Sequence, residues 1–456
     1  MPDSLIDKEK DLQADLSFYD SKLREAEESD NLKLADNYRN KLLDSKRNYD
    51  ELTGYINGNF PSYFLLKHPA ALSSTAEIRK LLTPDAALVE YFTGDTTVTI
   101  FVLTQTSINA VSVNCDSTLF NEVRKFRESL QKFNFINYLS AASALYYKLI
   151  SPVKNFLKDK SRLYIIPDNI FSYLPFEALI TGKPPVPFNR NFDHLPYLIN
   201  NYNISYHYSA ASLKETLLKQ NSSPMSFTAF APIFSNDKRD MDYITSLIDT
   251  NLVNYNPRGK FGTSGRKYGQ LTEAETEVNS ISDVFSENNY SHNVLSGKTA
   301  TVTELKSEKM HGIKFIHLAT YGFLNEKHPA LSGLLFHNSG DSTNTGILHA
   351  GEIYGLNLKS DLMVLSACES GLGKTVTGRG ILSVLRSFMY AGTDNIVLSL
   401  WLTEDLSTSV LMQEFYKNII EGMDYSSALR KSKLDLIRGG KYSYPQAWCP
   451  FVLYGH

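Results

Sequence analysis

Residues 3–56 contain no proline, and their apolar residues recur at helical spacing. Leu5, Leu12, Leu16, Tyr19 and Leu23 fall on one face of a helix. Ser29, Asp30 and Asn31 offer a turn and an N-cap, and Leu34, Tyr38, Leu42, Tyr49, Leu52 and Ile56 carry a second stripe. Two antiparallel helices with one apolar stripe each predict a helical hairpin. One pair of helices cannot bury a solenoid core alone, so the hairpin reads as a structural arm, a remnant of a TPR-like repeat, or a docking surface.

Residues 54–61 break that pattern. Residues 87–91, 97–103 and 109–113 read as strands, with Thr93-Gly94-Asp95 turning between the first two. Helices are expected over 119–133 and 139–157, a buried strand over 162–168, a loop at 183–187 and another strand at 227–231. Residues 235–270 are polar and glycine-rich and read as a mobile surface loop.

The last third alternates helix and strand: helix 273–285, strand 315–319, helix near 350–354, strand 362–366, helix 381–390, strand 395–400 and helix 407–421. Such alternation predicts an α/β fold, a mostly parallel sheet with helices on both faces. Ligands and catalytic groups gather beyond the carboxyl ends of parallel strands. Attention therefore falls on Thr320-Tyr321-Gly322, on the segment from Ala367 to Gly371, and on the segment from Trp401 to Asp405.

Composition narrows the function classes. The chain has 456 residues, enough for two or three domains. Forty-six Lys and Arg against 49 Asp and Glu leave a net charge of −3, with no basic footprint for nucleic acid. Cys115, Cys368 and Cys449 are too scattered for a disulfide scaffold or a zinc site, so no metal or cofactor is expected. No signal-type segment and no 18-residue apolar run occurs, which predicts a cytoplasmic protein without a membrane partner.

Gly371-Leu372-Gly373-Lys374-Thr375 imitates the end of a phosphate-binding loop, but the first glycine of that motif would fall at position 368, which is Cys368. That departure argues against nucleotide hydrolysis. A cysteine at a strand end among small residues suits a nucleophile if a base stands within reach. On its own it is more often an inert core thiol.

Several ordered segments carry a resemblance. Residues 315–323, FIHLATYGF, resemble the "HLATHG" segment of CHAT-domain proteins, caspase-like cysteine peptidases of the separase, metacaspase and gingipain group. Residues 361–371, DLMVLSACESG, are similar to that family's "DLVVLSACETG". FMYAG at 388–392, LSLW at 398–401 and MQEFY at 412–416 look like its "FLYAGA", "ASLW" and "M..FY" stretches. PDNIFSYLPFEAL at 167–179 looks like "PDG.L..LPFEAL". The resemblance covers roughly residues 80–456 and implies a caspase-like α/β sandwich. It divides the chain into a hairpin at 1–58, a first half of the CHAT region at 59–225 and a catalytic half at 226–456.

The resemblance implies that Cys368 is the nucleophile, with amides near Gly322 and Cys368 holding the oxyanion. The family base is the histidine before glycine in "HLATHG", and this chain has Tyr321 there. Tyrosine, with a pKa near 10, is a poor base at neutral pH. His317, four residues earlier, falls inside the sheet and reads as a hydrogen-bonded core residue, while His328, His337 and His349 fall in polar loops. Glu369, Asp361, Glu404 and Asp405 lie near strand ends. Glu369, Asp405 and Asp361 are candidate carboxylates for a basic substrate residue, and each also fits a helix cap or solvated charge.

The expected function is endoproteolysis of a protein substrate through an acyl-enzyme, impaired by Tyr321, with a protein activator docking on the N-terminal helices. Bacterial defence or regulation is the setting such resemblance implies. The alternative is a pseudo-protease that keeps the groove as a peptide- or partner-binding module. Tyr321 is then either the natural residue of a pseudo-enzyme or a change that silences an enzyme.

Overall fold

A computed structural model describes residues 3–28, 31–59, 74–183, 190–219, 223–232, 272–324, 329, 332–338, 346–366, 368–369, 379–401, 403 and 405–456. The chain divides into two compact units, 1–72 with 351–355, and 73–350 with 356–456. The expected loops at 183–187 and 235–270 fall wholly or largely outside the described residues.

In the first unit, α1 (Asp3–Glu28) and α2 (Leu32–Asn59) form the expected hairpin, but α2 runs through Gly54 to Asn59, past the break expected at residue 54. Leu12, Leu52 and Ile56 are its buried cluster, with Leu5 and Tyr49 packed against them. The Tyr19 and Tyr38 rings meet at 6.5 Å, and the Lys41 ammonium stands over Tyr19. Leu34, read as part of the apolar stripe, is exposed.

The second unit is built on fifteen described strands. They are β1 (Ala86–Thr93), β2 (Thr97–Thr104), β3 (Ile108–Asn114), β4 (Arg162–Ile166), β5 (Asn203–Tyr206), β6 (Ser226–Ala231), β7 (Ser291–Ser296) and β8 (Phe315–Leu318). There follow β9 (Gly322–Phe323), β10 (Gly333–Leu335), β11 (Ile347–His349), β12 (Leu362–Leu365), β13 (Cys368–Glu369), β14 (Asn395–Ser399) and β15 (Phe451–Tyr454). Eleven strands form one sheet in the order β3-β2-β1-β4-β5-β15-β14-β12-β8-β6-β7, and β11-β10-β9-β13 form a smaller one.

The large sheet is mostly parallel, as the alternation predicts, but it consists of two parallel blocks of opposite direction. β1, β4, β5 and β15 run one way, and β14, β12, β8, β6 and β7 run the other. The blocks meet at the antiparallel β14/β15 pair, and β2 and β3 extend the far edge as an antiparallel meander. The consequence is positional: the carboxyl ends of β8, β12 and β14 share one edge of the sheet, and those of β4 and β5 lie at the opposite edge.

Aromatic packing ties helices to this sheet. Phe227 on β6 stacks on Phe285 of the helix Thr272–Glu287 at 4.6 Å, and Tyr416 of the helix Asp405–Ile420 packs edge-on against Phe227 and Phe315. In the other block, Tyr138 of the helix Phe135–Leu149 packs on Phe126 and donates its hydroxyl to the Ala178 carbonyl at 2.7 Å. The helix expected over 139–157 stops at Leu149. Pro152 follows, and Ser151–Leu157 continues as a 3-10 helix, because proline lacks the amide an α-helix interior needs.

His207, just beyond β5, is fully buried 5.8 Å from the Tyr164 ring. Burial first, and then the neighbouring His456, push its pKa from 6.5 down to about 3. Between those values the unfolded chain binds a proton that the folded chain refuses, so stability falls as pH drops from 6.5 toward 3. The expected slope is about 1.4 kcal/mol per pH unit. Urea unfolding between pH 6.5 and 5 should therefore show a flatter pH dependence for His207→Phe by roughly that amount. Parallel profiles for the two proteins would contradict this.

Candidate functional site

β8 and β12 are adjacent and parallel, with Leu318 opposite Leu365, and the Ser366 amide continues the ladder to the Leu318 carbonyl at 2.9 Å. Past this point the two chains pair again in the small sheet. Cys368 stands opposite Gly322 and Glu369 opposite Phe323. Tyr321 immediately precedes Gly322 and is half-buried. Its carbonyl accepts the Leu335 amide at 2.8 Å, and the buried Thr320 hydroxyl donates to the Leu335 carbonyl. These bonds fix the bend that carries Tyr321. With strands about 4.8 Å apart and successive Cα atoms about 3.8 Å apart, the backbones of positions 321 and 368 lie within about 7 Å.

β13 is the edge of the small sheet. Its inner layer is tight. A Cβ on Gly333 would stand 2.8 Å from the Leu348 carbonyl of β11 and 3.0 Å from the Phe323 ring, so β10 approaches β11 and that ring this closely only with glycine.

The acidic candidates separate. Glu369 shares β13 with Cys368, and Asp405 begins the helix Asp405–Ile420. Glu404 lies outside the described residues. Asp361 precedes β12 and so sits at the amino end of that strand, away from Cys368. There its carboxylate is buried, paired with Lys314 and accepting the Ser223 hydroxyl at 3.1 Å. It staples the start of the strand. Glu177 of the 167–179 segment has a similar station, buried against Lys433 at 3.0 Å and accepting the Tyr206 hydroxyl.

The histidines are equally distinct. His317 is fully buried, as its strand position predicts, between the Glu277 carboxylate at 3.0 Å and the Tyr416 hydroxyl at 3.3 Å. A carboxylate only accepts, so Nε2 donates to Glu277; in the neutral ring Nδ1 is left to accept from Tyr416. Burial, and then the Glu277 charge, hold the Tyr416 hydroxyl well above its ordinary pKa, so it remains a proton donor. His349, expected in a loop, lies on β11, three strand spacings or about 14 Å from β13. His337 donates its amide to the Ala300 carbonyl, and His328 is outside the described residues.

Sequence reasoning missed Arg127. It lies on the helix Ser117–Gln131 and is fully buried, with its guanidinium 4.7 Å from the Tyr173 ring and 5.3 Å from that of Trp401. It donates to the Tyr173 carbonyl at 3.4 Å and the Leu400 carbonyl at 3.2 Å. Leu400 and Trp401 follow β14, so Arg127 anchors the third strand end to the other half of the sheet. Only its place within an otherwise apolar face (Leu119, Val123, Phe126, Leu130) signals burial.

Among the described residues, no cluster of three or more His, Cys, Asp or Glu side chains is placed to hold a metal ion, and no helix is long and apolar enough to cross a membrane.

The molecule is thus a mixed α/β protein with a large, mostly parallel sheet and a cysteine on a strand beyond its central carboxyl ends. A family model described as "CHAT domain" matches residues 139–456, and the chain belongs to the CHAT-domain family. Tetratricopeptide repeat protein 28 of Homo sapiens is 28% identical over 109 residues, 24% of this chain and 4% of that protein; its Mus musculus counterpart is 27% identical over the same length. The chain therefore spans a small fraction of these curated relatives. Two crystal structures of the Saccharomyces cerevisiae separase–securin complex align over 93% of this chain and 34% and 33% of theirs, at 11% and 10% identity, with TM-scores of 0.43 and 0.45.

Arg127 yields a test of how the third strand end is held. Arg127→Met removes a buried planar cation and leaves two carbonyls without their donor, which should destabilise the fold by about 2–4 kcal/mol. Arg127→Lys should not restore it, because an ammonium cannot stack between two rings. Urea midpoints of both variants close to that of the parent would refute the anchor.

Proposed function

We propose that this protein is a cysteine endopeptidase of the CHAT family, acting on a protein substrate and impaired by Tyr321. The observation that carries this reading is the parallel pairing of Cys368 with Gly322, next to the position of the family base. Family membership supports the same chemistry.

In the proposed reaction the Cys368 thiolate attacks a substrate carbonyl carbon, and amides near Gly322 and Cys368 stabilise the oxyanion. The C–N bond breaks, the amine leaves with a proton, and a thioester remains. Water then hydrolyses the thioester, releasing the acid and restoring the thiol. Two proton transfers need a group that titrates near neutrality, and a tyrosine hydroxyl suits neither. We assign Glu369 and Asp405 to the substrate side, where they would favour a basic residue. The buried ion pair with Lys314 makes Asp361 the weakest of the three candidates. A protein activator docking on α1 and α2, and a role in bacterial defence or regulation, complete the reading.

The second reading, a pseudo-protease that binds a peptide or partner in the groove, is favoured by Tyr321 itself. Labelling by a peptidyl acyloxymethyl ketone with arginine at its reactive end separates the two. Tyr321→His should label at least about tenfold faster than the tyrosine form. The gain should vanish in the Tyr321→His, Cys368→Ala double variant. Equal labelling of the Tyr and His forms would reject the base position and leave the binding module.

A further inference from the structure

One buried carboxylate touches both strands that lead to the site. Glu277, on the helix Thr272–Glu287, is almost fully buried. One of its oxygens accepts from His317 of β8 at 3.0 Å, and the other accepts the Ser366 hydroxyl at 3.4 Å. His317 stands four residues before Tyr321, and Ser366 two residues before Cys368. β8 and β12 are only four residues long, so few ladder bonds resist a slip of one strand end against the other. A single acceptor group spanning both chains opposes that slip from below, and the Tyr416 hydroxyl on the far side of His317 keeps the ring from turning. Burial makes the arrangement demanding, since an unpaired carboxylate there would be strongly destabilising.

We propose that Glu277 is a positioning residue, whose carboxylate holds His317 and Ser366 together and thereby sets the β9–β13 pairing that brings Cys368 to position 321. In this role it acts through the strands. The proposal deepens the peptidase reading and rests on it for its kinetic consequence; its structural half is independent. The Ser366 bond is the longer of the two, so it governs the alignment of the cysteine-bearing chain more than overall stability. The His317 bond lies deeper and governs both.

The test uses the full chain with Tyr321→His as parent and the same ketone probe. Ser366→Ala should lower the maximal labelling rate about fivefold with little change in the probe concentration giving half that rate, and with an unchanged melting temperature. Glu277→Ala should lower the rate more than tenfold and also lower the melting temperature. Glu277→Gln keeps one acceptor for His317 and an amide that donates to Ser366, so it should stay within about threefold of the parent. A Ser366→Ala protein that labels like the parent would overturn the proposal, as would a Glu277→Gln protein as slow as Glu277→Ala.

If the parent itself does not label, the peptidase reading fails, and amide hydrogen exchange decides the positioning claim alone. Glu277→Ala and Ser366→Ala should then speed exchange at 319–323 and 366–369 at least tenfold, leaving β4 and β5 unchanged. Unchanged exchange at those two segments would overturn it.

Discussion

β8, β12 and β14 are four or five residues long, parallel and wholly buried, and their pairing constrains everything around them. Buried backbone amides and carbonyls must find partners, and strands this short have little room for an alternative register. A shift by one residue would send His317 from the face lined by Glu277 and Tyr416 into the opposite apolar layer. The ladder therefore fixes where each strand stops. Because the three strands run the same way, their ends arrive at one edge, and the chains leaving β8 and β12 pair again through Gly322 and Cys368.

The recurring motif segments then divide by physical task. Asp361 with Lys314 clamps the amino end of β12, Glu177 with Lys433 and Tyr206 pins the 167–179 segment, and His317 with Glu277 and Tyr416 lies beneath the carboxyl ends. Buried polar groups of this kind are weak contributors to net stability, because desolvation offsets their attraction. What they add is alignment. Asp361 and His317 hold the strands that lead to the edge where Cys368 lies, and Glu177 holds β5 at the opposite edge. Arg127 does the same from outside the family-matched region, which begins at residue 139.

Much of this was legible because the central strands are dense apolar runs between polar breaks. The strands expected at 315–319 and 362–366 differ from the observed ones by a single residue at the carboxyl end. The core station of His317 followed from strand spacing alone. What stayed hidden was set by partners distant in sequence. β15 is four residues beside a 3-10 turn, with no signal that it would enter between β5 and β14 and reverse the sheet direction. β9 and β13 are two residues each, too short for any periodicity. Asp361 was grouped with the site because it borders a strand, but a border does not reveal which end of the strand leads to Cys368. Glu277 reads as one more polar residue on an amphipathic helix until His317 and Ser366 are seen against it.

The central claim is that the strand ends bring position 321 beside Cys368, and a covalent link measures that directly. Tyr321→Cys, oxidised mildly or treated with a short bis-thiol reagent, should yield an intramolecular 321–368 cross-link in the peptide map. Cys115 and Cys449 are buried and should remain unmodified. A protein in which the thiols at 321 and 368 are each alkylated quantitatively, yet never link to one another, would contradict the account.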